Sequence, residues 1–390
     1  MPTSETPAIT PVTPSKNVDT LWFDLSAPTR CVTAYFTSQT VSLQPNLESA
    51  LLLNVLPAMH QNQRLTLTQP VSATLIKNLE AFSKVFTTWH PDYHPLHIDC
   101  AHTAQAGTKG TGRVGCFFTG GVDSFYTFLK HQREITDLIY VHGYDLDLND
   151  GPRRQAISAM GAAIAAQTGV RFVEIETDSR EWFLPFGDWR LHGHGLALGA
   201  AGRLLAGTLD KIYIAASLPW EEMRPWGSHP ELDPLFSDEA LQFIHDGCEA
   251  FRTQKVQAIC DHPLVQAHLR VCCEWALGAY NCGRCEKCLR TMTSLYALGA
   301  LSAIKTFPSS IDPQNIRALL LPDGPERRRA RENIRLMDEN RLQSTPVYQA
   351  WSHALNRSDF TNWLIGRARK TRRKLRRSLR KRLFRVLGKR

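Results

Sequence analysis

Between residues 114 and 217 the apolar positions alternate between short uninterrupted runs and helical spacing. The runs are short enough for buried strands, whereas the longer stretches place apolar residues three and four positions apart. Strands are predicted at 114–118, 137–144, 170–177 and 210–217, with helices between them at 124–132, 153–169 and 194–208. Strands that alternate with helices in this way indicate an α/β fold with a doubly wound parallel sheet.

The flanking segments have other patterns. Residues 1–18 are rich in Thr, Pro and Ser, and they are expected to be disordered. Strand-like alternation and then two helical patterns predict a small α+β domain, and the chain is mostly helical from about residue 236. The expected domains are 1–18 disordered, 19–105 small α+β domain, 112–300 sheet domain, 301–364 helical region and 365–390 basic amphipathic tail.

The charge of the chain is concentrated at its end. The formal net charge is +9, but residues 365–390 hold 14 Lys and Arg and no acidic residue, so the remaining body is slightly acidic. Such a body lacks a general nucleic-acid-binding signature. The longest apolar runs are too short for a membrane span, and the first residues have neither the basic start nor the apolar core of a secretory signal. We therefore expect a cytoplasmic protein.

The sequence TGGVDS (119–124) stands between the first predicted strand of the sheet and its helix. Two glycines allow a tight turn and a close approach to an anion, and the amides at a helix N-terminus bind phosphate oxygens. A carboxylate suits such a site when it helps to hold a Mg²⁺ ion that bridges phosphates. The predicted phosphate-binding residues are Thr119, Gly120, Gly121, Val122, Asp123 and Ser124.

This loop resembles the Ser-Gly-Gly-x-Asp-Ser loop of the N-type ATP pyrophosphatase (PP-loop) family, with Thr119 in place of the first Ser. The resemblance implies an adenine nucleotide alpha hydrolase-like sheet and ATP cleavage between the α and β phosphates. It also implies catalytic roles for Asp123 and Ser124, with Asp123 on Mg²⁺. His142, at the end of the next strand, is predicted to lie beside the nucleotide.

Four cysteines form the second motif. Cys273, Cys282, Cys285 and Cys288 have the spacing C-x8-C-x2-C-x2-C, which predicts a tetrahedral Zn²⁺ site. An iron–sulfur cluster is the alternative metal group, and the adjacent Cys272 is the alternative to Cys273.

The run from Asn281 to Arg290 is similar to the zinc knuckle of the 7-cyano-7-deazaguanine synthase family, in which one upstream Cys precedes Cys-Gly-x-Cys-x-x-Cys. With the phosphate loop, this resemblance covers about residues 114–295. It implies a synthetase that uses ATP and ammonia to convert a carboxylate on a deazaguanine to a nitrile.

The segment 217–250 follows the fourth predicted strand and corresponds to the substrate pocket of those synthases. Its aromatic residues suit stacking on a planar acceptor, and its polar residues suit binding or acid–base work. The usual pocket sequence of the synthases is absent, which leaves the acceptor open, and a packed loop with Trp as filler is the alternative interpretation. The candidate substrate residues are Trp220, Glu222, Arg224, His229 and Asp233.

The tail 365–390 places leucines at helical spacing among basic residues. A helix of this kind suits an anionic membrane surface or a nucleic acid, and a solvated disordered tail is the third interpretation. A membrane-bound tail would make the protein peripheral at the inner membrane face.

Together these features predict an ATP-dependent adenylating ligase. It would activate a carboxylate or carbonyl of a small-molecule or nucleobase-like acceptor, release pyrophosphate, and let ammonia or an amine displace AMP. No cysteine outside the knuckle is clearly placed as a sulfur carrier, which weakly favours nitrogen over sulfur. The alternative is a catalytically silent ATP-binding or scaffold protein that docks through its tail.

Overall fold

The structure is a computed structural model that describes residues 8–17, 19–104, 110–272, 280–322 and 324–367. The chain divides into two compact units. The first comprises residues 1–255 with 278–280, and the second comprises 256–277 with 281–390.

Strands dominate the first unit, and helices occur in both. The strands are β1 Ala8–Ile9, β2 Ser15–Asn17, β3 Thr20–Ala27, β4 Arg30–Thr37, β5 Arg64–Leu67, β6 Val71–Ser72, β7 His97–Cys100, β8 Thr103–Ala104, β9 Arg113–Phe117, β10 Asp137–His142, β11 Arg171–Thr177, β12 Leu209–Ala215 and β13 Gln242–Asp246. The helices are α1 Leu47–Gln61, α2 Ala73–Trp89, α3 Val122–Lys130, α4 Gly151–Thr168, α5 Arg180–Phe183, α6 His194–Arg203, α7 Arg252–Ile259, α8 Pro263–His268, α9 Glu286–Ala297, α10 Pro313–Arg317, α11 Pro325–Glu339 and α12 Pro346–Leu355.

An eight-stranded sheet organises the first unit, in the order β13-β12-β9-β10-β11-β4-β3-β2. The five strands from β13 to β11 are parallel, whereas β4, β3 and β2 continue the sheet with antiparallel pairing. The predicted α/β class and the mostly parallel sheet are therefore confirmed.

The order in which parallel strands join the sheet changes side at β9. The chain passes outward from β9 to β10 and β11, and then returns to place β12 and β13 on the other side of β9. Open α/β sheets bind ligands outside the carboxyl ends of the strands at such a switch point. The TGGVDS loop after β9 and the segment after β12 both begin at this edge.

The N-terminal elements share the core of the sheet. The Ser49 hydroxyl of α1 donates to the Ala200 carbonyl of α6 at 2.9 Å, and the Trp182 indole donates to the Leu53 carbonyl at 2.9 Å. These bonds connect α1 to α6 and to α5, and the three helices contribute buried apolar side chains to one core. The two units consequently divide the chain differently from the predicted domains, because 19–105 and the sheet lie in one unit and the cysteine motif lies in the other.

Part of the expected disordered N-terminus has regular structure. Ser15–Asn17 pairs with β3 and Ala8–Ile9 pairs with β5, so the backbone hydrogen bonds of these residues are made by neighbouring strands. The expectation of disorder is wrong for these strands, and residues 1–7 lie outside the described part.

One strand was missed by the sequence pattern. Gln242–Asp246 was included in a mostly helical region, but it forms β13, which pairs in parallel with β12 over five residues. It has few apolar side chains because it is the last strand of the described sheet, and edge strands commonly carry polar side chains.

The second unit contains α8 to α12. Asn333 of α11 accepts a 2.8 Å hydrogen bond from Ser294 of α9, and the Trp351 indole of α12 donates to Thr293 at 2.8 Å. Residues 359–367 are also helical, whereas 368–390, which hold most of the predicted basic tail, lie outside the described residues. Among the described helices, none combines the length and the apolar character that crossing a bilayer requires.

Candidate functional site

The TGGVDS loop makes a tight turn between β9 and α3. Gly120 has a φ of 73°, a left-handed conformation that favours glycine, and Gly121 is the N-cap residue of α3 without a side-chain cap. The Ser124 hydroxyl accepts from the Thr119 amide at 3.3 Å and donates to the Gly121 carbonyl at 3.1 Å. Ser124 therefore closes the loop on itself, and Gly121, as the N-cap residue, provides no side-chain cap for α3.

Two cations from one helix meet the carboxylate of this loop. Nη1 of Arg252 lies 2.7 Å from Oδ2 of Asp123, and Nζ of Lys255 lies 3.4 Å from Oδ1. The Lys255 side chain is 2% exposed, and its ammonium group also donates to the Ala216 carbonyl at 2.7 Å. A buried ammonium group needs such partners, so the end of β12, the start of α7 and the loop form one charged cluster.

The five candidate substrate residues lie in different environments. Trp220 is 59% exposed, and its amide donates to the Cys248 carbonyl at 2.8 Å. Glu222 and Arg224 are half-buried, and the Arg224 guanidinium lies 5.5 Å from the ring centre of Trp226. These residues follow β12, whose carboxyl end lies at the same edge of the sheet as the loop after β9.

His229 and Asp233 instead belong to a buried polar cluster. His229 is 3% exposed and Asp233 is fully buried, and the Asp233 carboxylate accepts from the Ser228 hydroxyl at 2.7 Å and from the His229 amide at 3.2 Å. Nδ1 of His245 lies 2.7 Å from the same carboxylate. Because His245 is on β13, which the sequence pattern did not predict, this partner of Asp233 was missed.

His142 lies in a separate concavity. Its Nε2 is 2.8 Å from Glu174, which also accepts from the Ser158 hydroxyl at 2.5 Å. Burial would raise the pKa of Glu174, but the hydrogen bonds from His142 and Ser158 hold it below its ordinary value. The cavity beside these groups has a volume of about 460 Å³ and is lined by residues of α4, β11 and the turn after β4. Residues 119–124 are not part of its lining, so His142 and the loop do not share this cavity.

The described residues contain one cluster of four cysteines whose sulfur atoms all lie within 4.8 Å of one another, formed by Cys272, Cys282, Cys285 and Cys288. Two of the separations are 4.0 Å and 3.9 Å. A tetrahedron with zinc–sulfur bonds of about 2.3 Å has sulfur atoms roughly 3.8 Å apart, so the four cysteines fit a metal ion such as zinc.

The local fold explains how these cysteines meet. Gly283 has a φ of 68° in the turn after Cys282, and Cys285 is the N-cap of α9, where its sulfur accepts from the Cys288 amide at 3.4 Å. The positive end of a helix favours a thiolate at this position. Asn281 completes the site, because its side-chain oxygen accepts from the amides of Val271 and Cys272 at 2.9 Å and 3.2 Å.

The described cluster and the expected set differ in the first cysteine. Cys272, the alternative considered from the sequence, joins the other three sulfur atoms. Cys273, the expected ligand, lies outside the described residues. The spacing alone does not separate two adjacent cysteines, and among the described residues it is Cys272, whose amide donates to Asn281, that joins the cluster.

No protein-family model, no curated protein and no solved structure matches the chain.

Proposed function

We propose that the protein is an ATP-dependent adenylating ligase that binds the phosphates of ATP over residues 119–124. The observation that carries this proposal is the position of the glycine turn. It follows β9 at the switch point of the parallel strands, and it opens a helix whose N-cap residue is Gly121. Helix N-terminal amides and Gly-rich turns at this place suit a polyphosphate.

The charges around the loop support a phosphate rather than another ligand. Arg252 and Lys255 bring two positive charges to the first turn of α3, where Asp123 holds them. Phosphate oxygens would compete with the carboxylate for these donors. Exchange of the donors onto ATP would release Asp123 for the cation that accompanies the nucleotide. A bound Mg²⁺ would neutralise phosphate charge and so favour attack on the α-phosphate.

The acceptor would bind against the segment after β12. Trp220 exposes an aromatic face at the carboxyl edge of the sheet, and Glu222 and Arg224 supply polar groups beside it. We therefore propose a planar acceptor that carries a carboxylate or carbonyl, whose activated form reacts with ammonia or an amine. The resemblance to 7-cyano-7-deazaguanine synthases makes 7-carboxy-7-deazaguanine the first acceptor to test.

The cysteine cluster would serve the fold rather than the reaction. Four cysteines leave no open coordination position on a tetrahedral zinc ion, as is typical of structural sites. All four lie within one unit. Two precede α9, one is the N-cap residue of α9 and one is in its first turn.

Nucleotide product analysis tests this proposal. Full-length protein is incubated with ATP, Mg²⁺, ammonium and 7-carboxy-7-deazaguanine or a pool of other carboxylates. Asp123→Ala removes the loop carboxylate, and Asp92→Ala, at an exposed position before β7, is the matched control. Adenylation is supported if the wild type and the control release AMP and pyrophosphate and Asp123→Ala does not. Formation of ADP contradicts it, and ATP binding without turnover of any acceptor favours the silent nucleotide-binding alternative.

A further inference from the structure

Three large apolar side chains are exposed on one short helix near the end of the described chain. Phe360 is 68% exposed, Trp363 is 54% exposed and Leu364 is 45% exposed, and all three belong to the helix 359–367. Residues three and four positions apart share one face of a helix. The rings of Phe360 and Trp363 stack with their centres 6.1 Å apart, so the exposed apolar atoms form one continuous patch.

The opposite face of this helix is polar and attaches it to the second unit. Asn362 is 5% exposed, and its side chain donates to the Leu321 carbonyl at 3.0 Å and accepts from the Arg357 guanidinium group at 3.4 Å. The Ser358 hydroxyl accepts from the Thr361 amide at 3.2 Å at the start of the helix. A surface helix ordinarily buries its apolar face and exposes its polar one. The reversed arrangement indicates that the apolar face binds another surface.

The charge beside this apolar face is positive. Asp359 is the only acidic residue of the helix, and it pairs with Arg327 at 3.0 Å. The guanidinium group of Arg367 lies 5.3 Å from the ring centre of Trp363. The sequence from 365 to 390 holds 14 Lys and Arg and no acidic residue, and its part from 368 lies outside the described residues. A partner that covers the apolar face should therefore be anionic.

We propose that Phe360, Trp363 and Leu364 form a docking face for the surface of an anionic phospholipid bilayer. Interfacial helices gain affinity from buried apolar area and from the attraction of Lys and Arg to anionic lipids, and this segment supplies both. Tryptophan is enriched at the boundary between acyl chains and headgroups. The helix would lie on the bilayer without crossing it, and its docking does not depend on the proposed ATP chemistry.

A nucleic acid and a second copy of the chain fit this face less well. Proteins bind single-stranded nucleic acids through basic groups on phosphates and flat rings on bases, and the aliphatic Leu364 provides neither contact. Two copies that paired these faces would bring two segments of 14 basic residues and no acidic residue together, and like charges repel. An anionic bilayer matches both the apolar area and the charge.

Flotation of the full-length protein with lipid vesicles tests the docking face. The vesicles are phosphatidylcholine alone or phosphatidylcholine with about 30% phosphatidylglycerol, in about 0.1 M or 0.5 M NaCl. The wild type should float with the anionic vesicles in the lower salt, and its affinity should fall by about tenfold or more in the higher salt or without the anionic lipid. A wild-type protein that does not bind the anionic vesicles overturns the proposal.

Variants of the exposed side chains test which residues dock. Phe360→Ala combined with Trp363→Ala should weaken binding to the anionic vesicles by about tenfold or more, because it removes most of the apolar area. Trp22→Ala is the matched control, since Trp22 is an exposed tryptophan of β3, and it should bind like the wild type. Thermal unfolding checks that the variants are folded. Wild-type affinity of the folded double variant would contradict docking through this face.

Brominated phospholipids supply a second measurement that does not require loss of binding. They quench tryptophan side chains that enter the bilayer boundary. Trp363→Phe retains an aromatic ring and should still float with the vesicles, but it should lose most of the quenching that the wild type and Trp22→Ala show. Equal quenching of Trp363→Phe and the wild type would mean that Trp363 does not enter the bilayer, and would overturn the proposal.

The other occupants give different results. Fluorescence anisotropy with a labelled RNA measures nucleic-acid binding, and light scattering after size-exclusion chromatography measures the oligomeric state. RNA binding that the double variant loses, without flotation of the wild type, would assign the face to a nucleic acid. A wild-type dimer that the double variant converts to monomers would assign it to a second copy. Either result overturns membrane docking.

Discussion

Arg252 Nη1 lies 2.7 Å from Oδ2 of Asp123, although 129 positions separate the two residues in the chain. The contact joins the start of α7 to the first turn of α3. In the proposed function, the phosphate oxygens of ATP would take these two cations over from the carboxylate. Asp123 would then have two roles, because it would hold these cations before ATP binds and contact the expected Mg²⁺ afterwards.

The first prediction concerns these cations. Arg252→Met and Lys255→Met should each weaken ATP binding by about tenfold or more, because each removes a charge-assisted hydrogen bond worth roughly 1.5–3 kcal/mol. Isothermal titration calorimetry measures the affinity. Lys211→Met is the matched control, since Lys211 lies on β12 and pairs with Glu134 instead. Equal ATP affinities of the wild type and the three variants would contradict phosphate binding at this loop.

The second prediction separates two adjacent cysteines. Cys272→Ser should lose bound zinc, whereas Cys273→Ser should keep about one ion per chain, because the sulfur of Cys272 joins the cluster. Plasma mass spectrometry of the purified proteins counts the metal. Asn281→Ala should lower the zinc affinity by about 10- to 100-fold, since it removes the group that fixes the Cys272 amide. Retention of zinc by Cys272→Ser would assign the ligand to its neighbour.

The third prediction concerns the stability of the protein in acid, which should depend on the buried His192. Burial, with the neighbouring His90, lowers the pKa of His192 to about 4, while Asp188 acts in the opposite direction. The unfolded chain binds a proton to this residue near pH 6.5, so between about pH 6.5 and 4 it holds more protons than the folded chain. The free energy of unfolding should therefore fall as the pH decreases through this window.

Urea unfolding at several pH values tests that slope. His192→Gln should flatten it, whereas His97→Gln, at an exposed position of β7, should leave it unchanged. His245 acts in the other direction: its raised pKa of about 9 gives stability that is complete below pH 6.5 and is lost as the pH rises toward 9. If the free energy of unfolding of His192→Gln falls with decreasing pH as steeply as that of the wild type, groups other than His192 cause the pH dependence.

The sheet and the loop could be predicted from the sequence because both depend on local pattern. The apolar runs around Cys116 and Ile139 indicate buried parallel strands, and Gly120 indicates a turn because its φ of 73° is a conformation that few other residues adopt. The observed strand bounds differ from the predicted ones by one or two residues, as hydrogen bonding at strand ends determines them.

The rest depended on contacts between distant parts of the chain. Nothing in the local sequence distinguishes Arg252 and Lys255 from other basic residues, and their role depends on the fold, which places them beside Asp123. His245 lies on a five-residue edge strand with few apolar residues. The local sequence therefore does not predict its contact with Asp233. The separation of the predicted substrate residues into exposed and buried groups has the same origin, because burial is set by tertiary packing.

The last prediction concerns the close contact that positions the segment after β12. A Cβ atom added to Gly195 of α6 would lie 1.9 Å from the Gly227 carbonyl oxygen, a backbone atom that moves only if the segment shifts. Gly195→Ala should therefore destabilise the protein by about 1–3 kcal/mol, as overpacking of a core does. It should also displace the segment that carries Trp226 and His229, and so weaken acceptor binding more than ATP binding.

Gly151→Ala provides the comparison for this change. Gly151 begins α4, and an added Cβ atom would meet no atom within 4 Å, so the alanine should be neutral or stabilise the helix by about 0.5–1 kcal/mol. Thermal unfolding of both variants, with titration of ATP and of the acceptor, separates the two effects. If Gly195→Ala unfolds like Gly151→Ala and binds the acceptor like the wild type, the close contact between α6 and the segment after β12 does not constrain the site.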